Sequence, residues 1–136
     1  MTTFVLDSSA VLRFVDSEAG ADRVEEILLA HMAMTVEVAI PAVQWGEIAG
    51  RVRKKSGAAG QSLALRMLTG FHPRIEPVTG ERAVHAAEIK HDRKLPYADA
   101  FALDLAMDSP DHVLVTADYD FKNVADLARI EFLPSK

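Results

Sequence analysis

A chain of 136 residues is long enough for one domain with a sizeable core and too short for two. Its hydrophobic (49%) and charged (26%) content is ordinary for a globular protein, and the lack of cysteine excludes disulfides, thiolate zinc sites and cysteine nucleophiles. Fifteen basic and 20 acidic residues give −5, which argues against nucleic-acid binding by the whole surface and makes the distribution of charge more informative than its sum.

Thr3 to Leu6 reads as a short buried strand, and Asp7-Ser8-Ser9 is a natural start for a helix over Ala10–Val15. Gly20 to Met32 carries Val24, Ile27, Leu28 and Met32 at helical spacing. Val36 to Ile40 reads as a second strand. Pro41 then suits the first turn of a helix running to about Lys55, with Val43, Ile48 and Val52 as core candidates. Ser56-Gly57 breaks it, and a further helix runs from Ala58 to Leu68 and ends at Gly70, so the pair predicts a helical hairpin.

Arg74 to Val78 is a short strand flanked and interrupted by Pro73 and Pro77. Glu81 to His91 is helical, with Ala83, Val84, Ala87 and Ile89 apolar. Pro96 opens a helix through Met107 that Ser109-Pro110-Asp111 ends. His112 to Val115 is a buried strand, Ala117 to Lys122 a turn or short helix, and Ala128 to Phe132 a last strand. Strands separated by helices predict one α/β domain over residues 1–136, with a mostly parallel sheet flanked by helices. No internal repeat or linker is visible. The absence of a signal-like N-terminus and of a spanning apolar run predicts a cytoplasmic protein with no membrane partner.

Four acids stand at the ends of apolar runs or inside them: Asp7, Glu47, Asp99 and Asp118. In a parallel sheet the ligand crevice lies beyond the carboxyl ends of the strands, where Asp7 and Asp118 both fall. Converging carboxylates repel one another unless a divalent cation holds them, so the pattern points to a metal site. Oxygen donors of this kind suit Mg²⁺ or Mn²⁺ rather than a soft metal. Each acid also has a purely structural alternative. Asp7 can cap a helix, Glu47 can pair with Arg51 at i,i+4 spacing, and Asp118 can be a turn acid. Asp99, set among Ala98, Ala100, Phe101, Ala102 and Leu103, is the hardest to explain that way.

The residues around the acids resemble a known family. Val5-Leu6-Asp7-Ser8-Ser9-Ala10-Val11-Leu12 resembles the opening motif of PIN-domain ribonucleases, and Gln44-Trp45-Gly46-Glu47-Ile48 resembles their second. Leu95-Pro96-Tyr97-Ala98-Asp99-Ala100-Phe101-Ala102 resembles the third, and Val115-Thr116-Ala117-Asp118-Tyr119-Asp120-Phe121 the fourth. Order, spacing and chain length are similar to VapC-type toxins of bacterial type II toxin–antitoxin pairs. The resemblance implies a PIN-like fold and Mg²⁺- or Mn²⁺-dependent hydrolysis of RNA within the strand, leaving a 5′-phosphate and a 3′-hydroxyl. It makes Asp7, Asp99 and Asp118 the inner metal ligands, directly or through water, and gives Glu47 a second cation or a water to orient. Thr116 would hydrogen-bond a ligand or coordinated water, Ser9 would orient Asp7, and Asp120 would be an outlying support. The resemblance also implies a homodimer or a toxin–antitoxin hetero-oligomer. Its protein antitoxin would cover the active groove, place an Arg against the carboxylates, and use the 41–70 hairpin as a docking surface.

The densest basic segment, Arg51-Val52-Arg53-Lys54-Lys55, follows Glu47 on one helix, and Arg51 and Lys54 share its face. They are the candidate RNA-phosphate contacts, against the alternative of a solvated helix end. Trp45, at an apolar helix start, reads as a core or interface packing residue, against the alternative of stacking a base, and Tyr97 reads as packing the helix entry. His31, His72, His85, His91 and His112 share no metal-ligand spacing, and Asp104 lies about 140° around the helix from Asp99. A phosphatase of the haloacid-dehalogenase type wants an acid where Ser9 stands; a receiver-like domain wants paired acids near the first strand. A non-catalytic binding module leaves the four acids without a purpose, and a PIN-like nuclease of RNA processing or of DNA is the closer alternative.

Overall fold

A strand buried on both faces needs an apolar residue at nearly every position, and Phe4-Val5-Leu6 supplies it for the central strand. The computed structural model describes residues 1–136. Strands β1 (Thr3–Leu6), β2 (Glu37–Pro41), β3 (Arg74–Glu76), β4 (His112–Thr116) and β5 (Arg129–Phe132) form one sheet in the order β3-β2-β1-β4-β5. Every neighbouring pair is parallel, with Leu6 opposite Val115 at the end of β1. The expected mostly parallel sheet is wholly parallel.

Successive side chains point to opposite faces, so the sheet divides the core in two. Val5, Ala39 and Leu114 face α4 (Gly80–Arg93) and α5 (Tyr97–Ala106). Leu6, Val38, Ile40 and Val115 face α1 (Ser8–Val15), α2 (Ala21–Met32) and α3 (Ala42–Thr69). The result is three layers, helices on both sides of a sheet. No helix is long and apolar enough to cross a membrane.

The elements follow the expected order, with local differences. Pro41 is the last residue of β2 and the cap of α3 rather than part of its first turn; its extended ψ of 141° and missing N–H suit that junction. The buried stripe of α2 stops at Leu28, leaving Met32 half exposed. On α4 the stripe is Ala86 and Ile89, and Val84 faces outward. Every residue of α5 from Ala100 to Ala106 is buried, as expected of a helix that is apolar all round. Asp104 is the exception within it. It turns toward α4, where Arg82 Nη1 (2.9 Å) and His85 Nδ1 (2.6 Å) meet its carboxylate. A buried acid survives only with such partners.

The break at Gly57 divides α3 into two arms, 42–56 and 58–69. Gln61 on the second arm donates to the Ala49 carbonyl (3.0 Å) and accepts from Arg53 (2.9 Å), so the arms fold back on each other as the hairpin expected. Gly57 has φ 71° and ψ −174°, a region open essentially to glycine alone. No atom lies within 4 Å of where its Cβ would be. The glycine is there for backbone conformation and not for space. Replacing Gly57 with Ala should therefore lower stability by about 1–3 kcal/mol through strain alone, measurable by urea unfolding. An unchanged midpoint would mean that the hairpin does not need that conformation.

Candidate active site

The C-terminal edge of the central strands gathers the acids. β1 ends at Leu6, and Asp7 follows with an extended backbone that turns the chain into α1. Its carboxylate is buried and takes three donors. Ser9 Oγ (2.7 Å) and the Ala10 amide (2.9 Å) reach Oδ1, and Thr116 Oγ1 reaches Oδ2. Asp7 is thus the helix cap the sequence allowed, and it also lines the cleft that the other acids share.

The two hydroxyls are themselves held. Ser9 Oγ accepts from the Ala117 amide (2.8 Å), and Thr116 Oγ1 accepts from the Asp118 amide (3.0 Å). Each therefore spends its only proton on Asp7, and the start of α1 is tied to the end of β4. Asp118 accepts from the Asp120 amide (2.9 Å) and opens a short 3₁₀ turn over Tyr119–Val124. Asp120 is exposed at that turn.

Asp99 and Glu47 arrive from the helices. Asp99 lies in the first turn of α5. Glu47, one turn into α3, accepts from Ser8 Oγ (3.2 Å). No ion pair joins it to Arg51, so the helical-pair explanation of Glu47 fails. A residue the sequence reading did not single out sets their relation. Gln44 is fully buried, its Oε1 accepting from the Ser8 amide (2.7 Å) and its Nε2 donating to the Ala98 carbonyl (2.6 Å). One side chain therefore bridges the backbone next to Asp7 and the backbone next to Asp99. Its signal was legible: Gln44 stands four residues before Ile48, on the buried face of α3, where a polar residue must have dedicated partners.

Asp7, Glu47, Asp99 and Asp118 all line one cleft of about 270 Å³, with Ser9 and Arg51 in its walls. Lys54 is not in that wall; it lines a larger groove that Arg51 and Asp118 share. The acids feel one another. Asp99 is pushed up from 3.8 to about 7, first by burial and then by Asp118, Asp7, Glu47 and Asp120. Asp7 is pushed up to about 6, mainly by burial, with its three hydrogen bonds opposing and Asp118 adding to the rise. No three acidic or histidine side chains stand in direct ligating geometry around one point. The five histidines lie outside the cleft, and Trp45 packs half-buried against the core beside α1 and α2.

The family model for the PIN domain matches residues 4–127. No curated protein matches the chain significantly. Among solved structures, the sarcin–ricin-loop-cleaving toxin VapC20 of Mycobacterium tuberculosis superposes with a TM-score of 0.72 at 18% identity, covering 96% of this chain and 99% of that one. VapBC2 of Rickettsia felis, bound to a promoter DNA fragment, gives 0.70 at 16%, covering 98% and 100%. FitAcB of Neisseria gonorrhoeae gives 0.67 at 19%, covering 94% and 96%.

Two measurements test this arrangement. In the unfolded chain Asp7 and Asp99 titrate near 3.8, and in the fold at about 6 and about 7. Between those values the folded protein holds protons the unfolded chain has released, so in EDTA stability should fall as pH rises from about 4 to 7 and stay low above. Asp99→Asn should remove much of that slope and stabilise the EDTA-treated protein at pH 8, by on the order of 1 kcal/mol once solvent screening of a half-exposed group is allowed for. Gln44→Leu should act oppositely. It strands the buried Ser8 N–H and removes the second bond to the part-buried Ala98 carbonyl, and should cost roughly 1–3 kcal/mol in chemical unfolding; a neutral result would show that the bridge contributes nothing to the fold.

Proposed function

Because this chain belongs to the PIN-domain family, we propose that it is a metal-dependent endoribonuclease, the toxin of a type II toxin–antitoxin pair. The observation that carries the reading is the set of four carboxylates brought from four separate segments into one cleft at the C-terminal edge of the sheet. The half-buried Asp99 is raised first by burial and then by four acidic neighbours. A fold that keeps such repulsion gains from it only if positive charge enters. The fold likeness to VapC and VapBC structures supports the toxin reading.

The donor set is carboxylate oxygen throughout, which fits Mg²⁺ or Mn²⁺. Asp7, Asp99 and Asp118 would hold the cation, with Glu47 as a further ligand or reached through water. When bound, such an ion supplies charge neutralisation of the phosphate and activation of water. The chain's own part is positioning. Ser9, Thr116 and the Ala10 amide fix both oxygens of Asp7, so it cannot swing away from the cleft. Ser8 holds Glu47 Oε1 and leaves Oε2 to accept a proton from an attacking water. Arg51, unpaired in the cleft wall, offsets charge on the scissile phosphate and Lys54 on a phosphate beyond it. Attack by water at phosphorus with cleavage of the P–O3′ bond, the leaving oxygen taking up a proton, leaves a 5′-phosphate and a 3′-hydroxyl.

In this reading the protein works in the cytoplasm as a homodimer or within a hetero-oligomer, restrained by a protein antitoxin. The second arm of α3 shows Leu63 and Met67 to solvent, which suits a partner's apolar side chains.

Purified wild type should cut RNA in Mg²⁺ or Mn²⁺ and stop in EDTA. Asp7→Asn and Asp99→Asn should each fall by roughly two orders of magnitude or more while remaining folded. Growth arrest on expression should follow the same pattern and be relieved by coexpressing a cognate protein antitoxin. Cleavage that survives EDTA, or equal cleavage by the two folded variants, would sink the mechanism.

A further inference from the structure

The acid cleft is not isolated. Ser9, Leu12, Arg51 and Asp118 belong both to its wall and to that of a larger groove of about 1180 Å³. That groove lies between α1 with the turn after it, the basic stretch of α3 and the C-terminal tail, and Tyr119 stands in its wall next to Asp118.

The charge in the groove is sorted. Its acids beyond Asp118 are Asp16 and Glu18, and both are answered: Lys55 Nζ lies 3.1 Å from Asp16, and Lys136 Nζ 2.8 Å from Glu18. Arg51 and Lys54 have no such partner and remain free for an anion. Among the residues lining the wall, the basic side chains (Arg13, Arg51, Lys54, Lys55 and Lys136) outnumber the acidic ones (Asp16, Glu18 and Asp118), although the chain carries −5 overall.

Tyr119 is braced on several sides. Its hydroxyl donates to the Leu133 carbonyl (2.7 Å), and Phe132 meets its ring edge-on with centroids 5.6 Å apart. Lys122 places its ammonium 4.9 Å from the ring centre. The tail that closes this side is pinned in turn by Arg13, which donates to the Pro134 carbonyl (2.7 Å). Yet Tyr119 stays 39% exposed in the wall of the groove. A large aromatic ring fixed in place, part of it still open to solvent, in the same groove as unpaired cations is an arrangement suited to unpaired nucleic-acid bases.

We propose that this groove is the track for single-stranded RNA, with Tyr119 stacking a base close to the scissile phosphate and Arg51 and Lys54 taking successive phosphates; the inference rests on the nuclease reading. A duplex has its bases stacked already and offers none to Tyr119. An acidic peptide could use the cations, but would bring its carboxylates toward Asp118 and gain nothing from the ring. Single-strand preference is therefore a property of this wall, separate from the chemistry of the acids.

The test measures binding with cleavage switched off. An Asp99→Asn protein in Mg²⁺ is titrated into a short fluorescent single-stranded RNA, its perfect duplex, and polyglutamate as competitor. The single strand should bind more tightly than the duplex, and polyglutamate should compete poorly. Adding Tyr119→Leu should weaken the single strand about tenfold, the scale of one stacked base, and leave the salt dependence alone. Tyr119→Phe keeps the ring, loses the Leu133 bond and should bind like the parent. Arg51→Gln and Lys54→Gln should each lower the slope against log salt by about 0.7, one phosphate apiece. Equal affinity for duplex, effective competition by polyglutamate, a neutral Tyr119→Leu, or equal losses from Leu and Phe would overturn the track. The two readings fail separately. A wild type that cuts RNA while these variants bind normally loses only the track, whereas the binding pattern above in a wild type that cuts nothing loses only the nuclease.

Discussion

The side-chain amide of Gln44 is the constraint on which the site depends. Its two hydrogen bonds hold the Ser8 amide and the Ala98 carbonyl at a fixed separation, and so fix the backbone beside Asp7 relative to that beside Asp99. Because Gln44 is itself one turn before Glu47, three acid-bearing segments are joined through one residue. The bridge is fully buried, where a hydrogen bond is stronger than in water and its loss is costlier. Asp118 joins by another route, through Thr116 and Ser9 to Asp7.

Polar links of this kind are needed because the charges they position repel. Burial and like charge lift Asp99 to about 7 and Asp7 to about 6, so the ionised site works against the fold that holds it. The two apolar layers on either side of the sheet offset that cost. A similar cost is met differently at Asp104, where the chain brings its own cation, Arg82, to a buried carboxylate. The contrast separates a structural acid from those in the cleft: Asp104 is ion-paired within the protein, whereas Asp99 has no ion pair and is raised further by the acids around it.

Much of the fold was legible along the chain. The order of strands and helices, the break at Ser56-Gly57 and the parallel sheet follow from period, proline and glycine, all local signals. The positions where local pattern and environment part ways share a cause. Met32 and Val84 fit an apolar helical period, but whether such a residue is covered depends on where the neighbouring element ends. The Glu47–Arg51 pair was a correct reading of helix geometry, yet the side chains turn to other surroundings: Glu47 to Ser8, Arg51 to the cleft wall. Gln44 stood inside a quoted motif and passed unnoticed because its partners are 36 and 54 residues away in the chain.

Sequence alone determined which residues carry charge into apolar surroundings, and so which four acids demanded an explanation. Periodicity sufficed to put Asp7 and Asp118 at strand ends and Asp99 on a buried helix, because those placements depend on neighbours within a few residues. Only the tertiary structure decided that the four face one cleft, that Gln44 spans them, and that Arg51, Lys54 and Tyr119 line a groove opening from it. Those facts rest on contacts between segments far apart in the chain, set by strand register and layer packing, which no local pattern encodes.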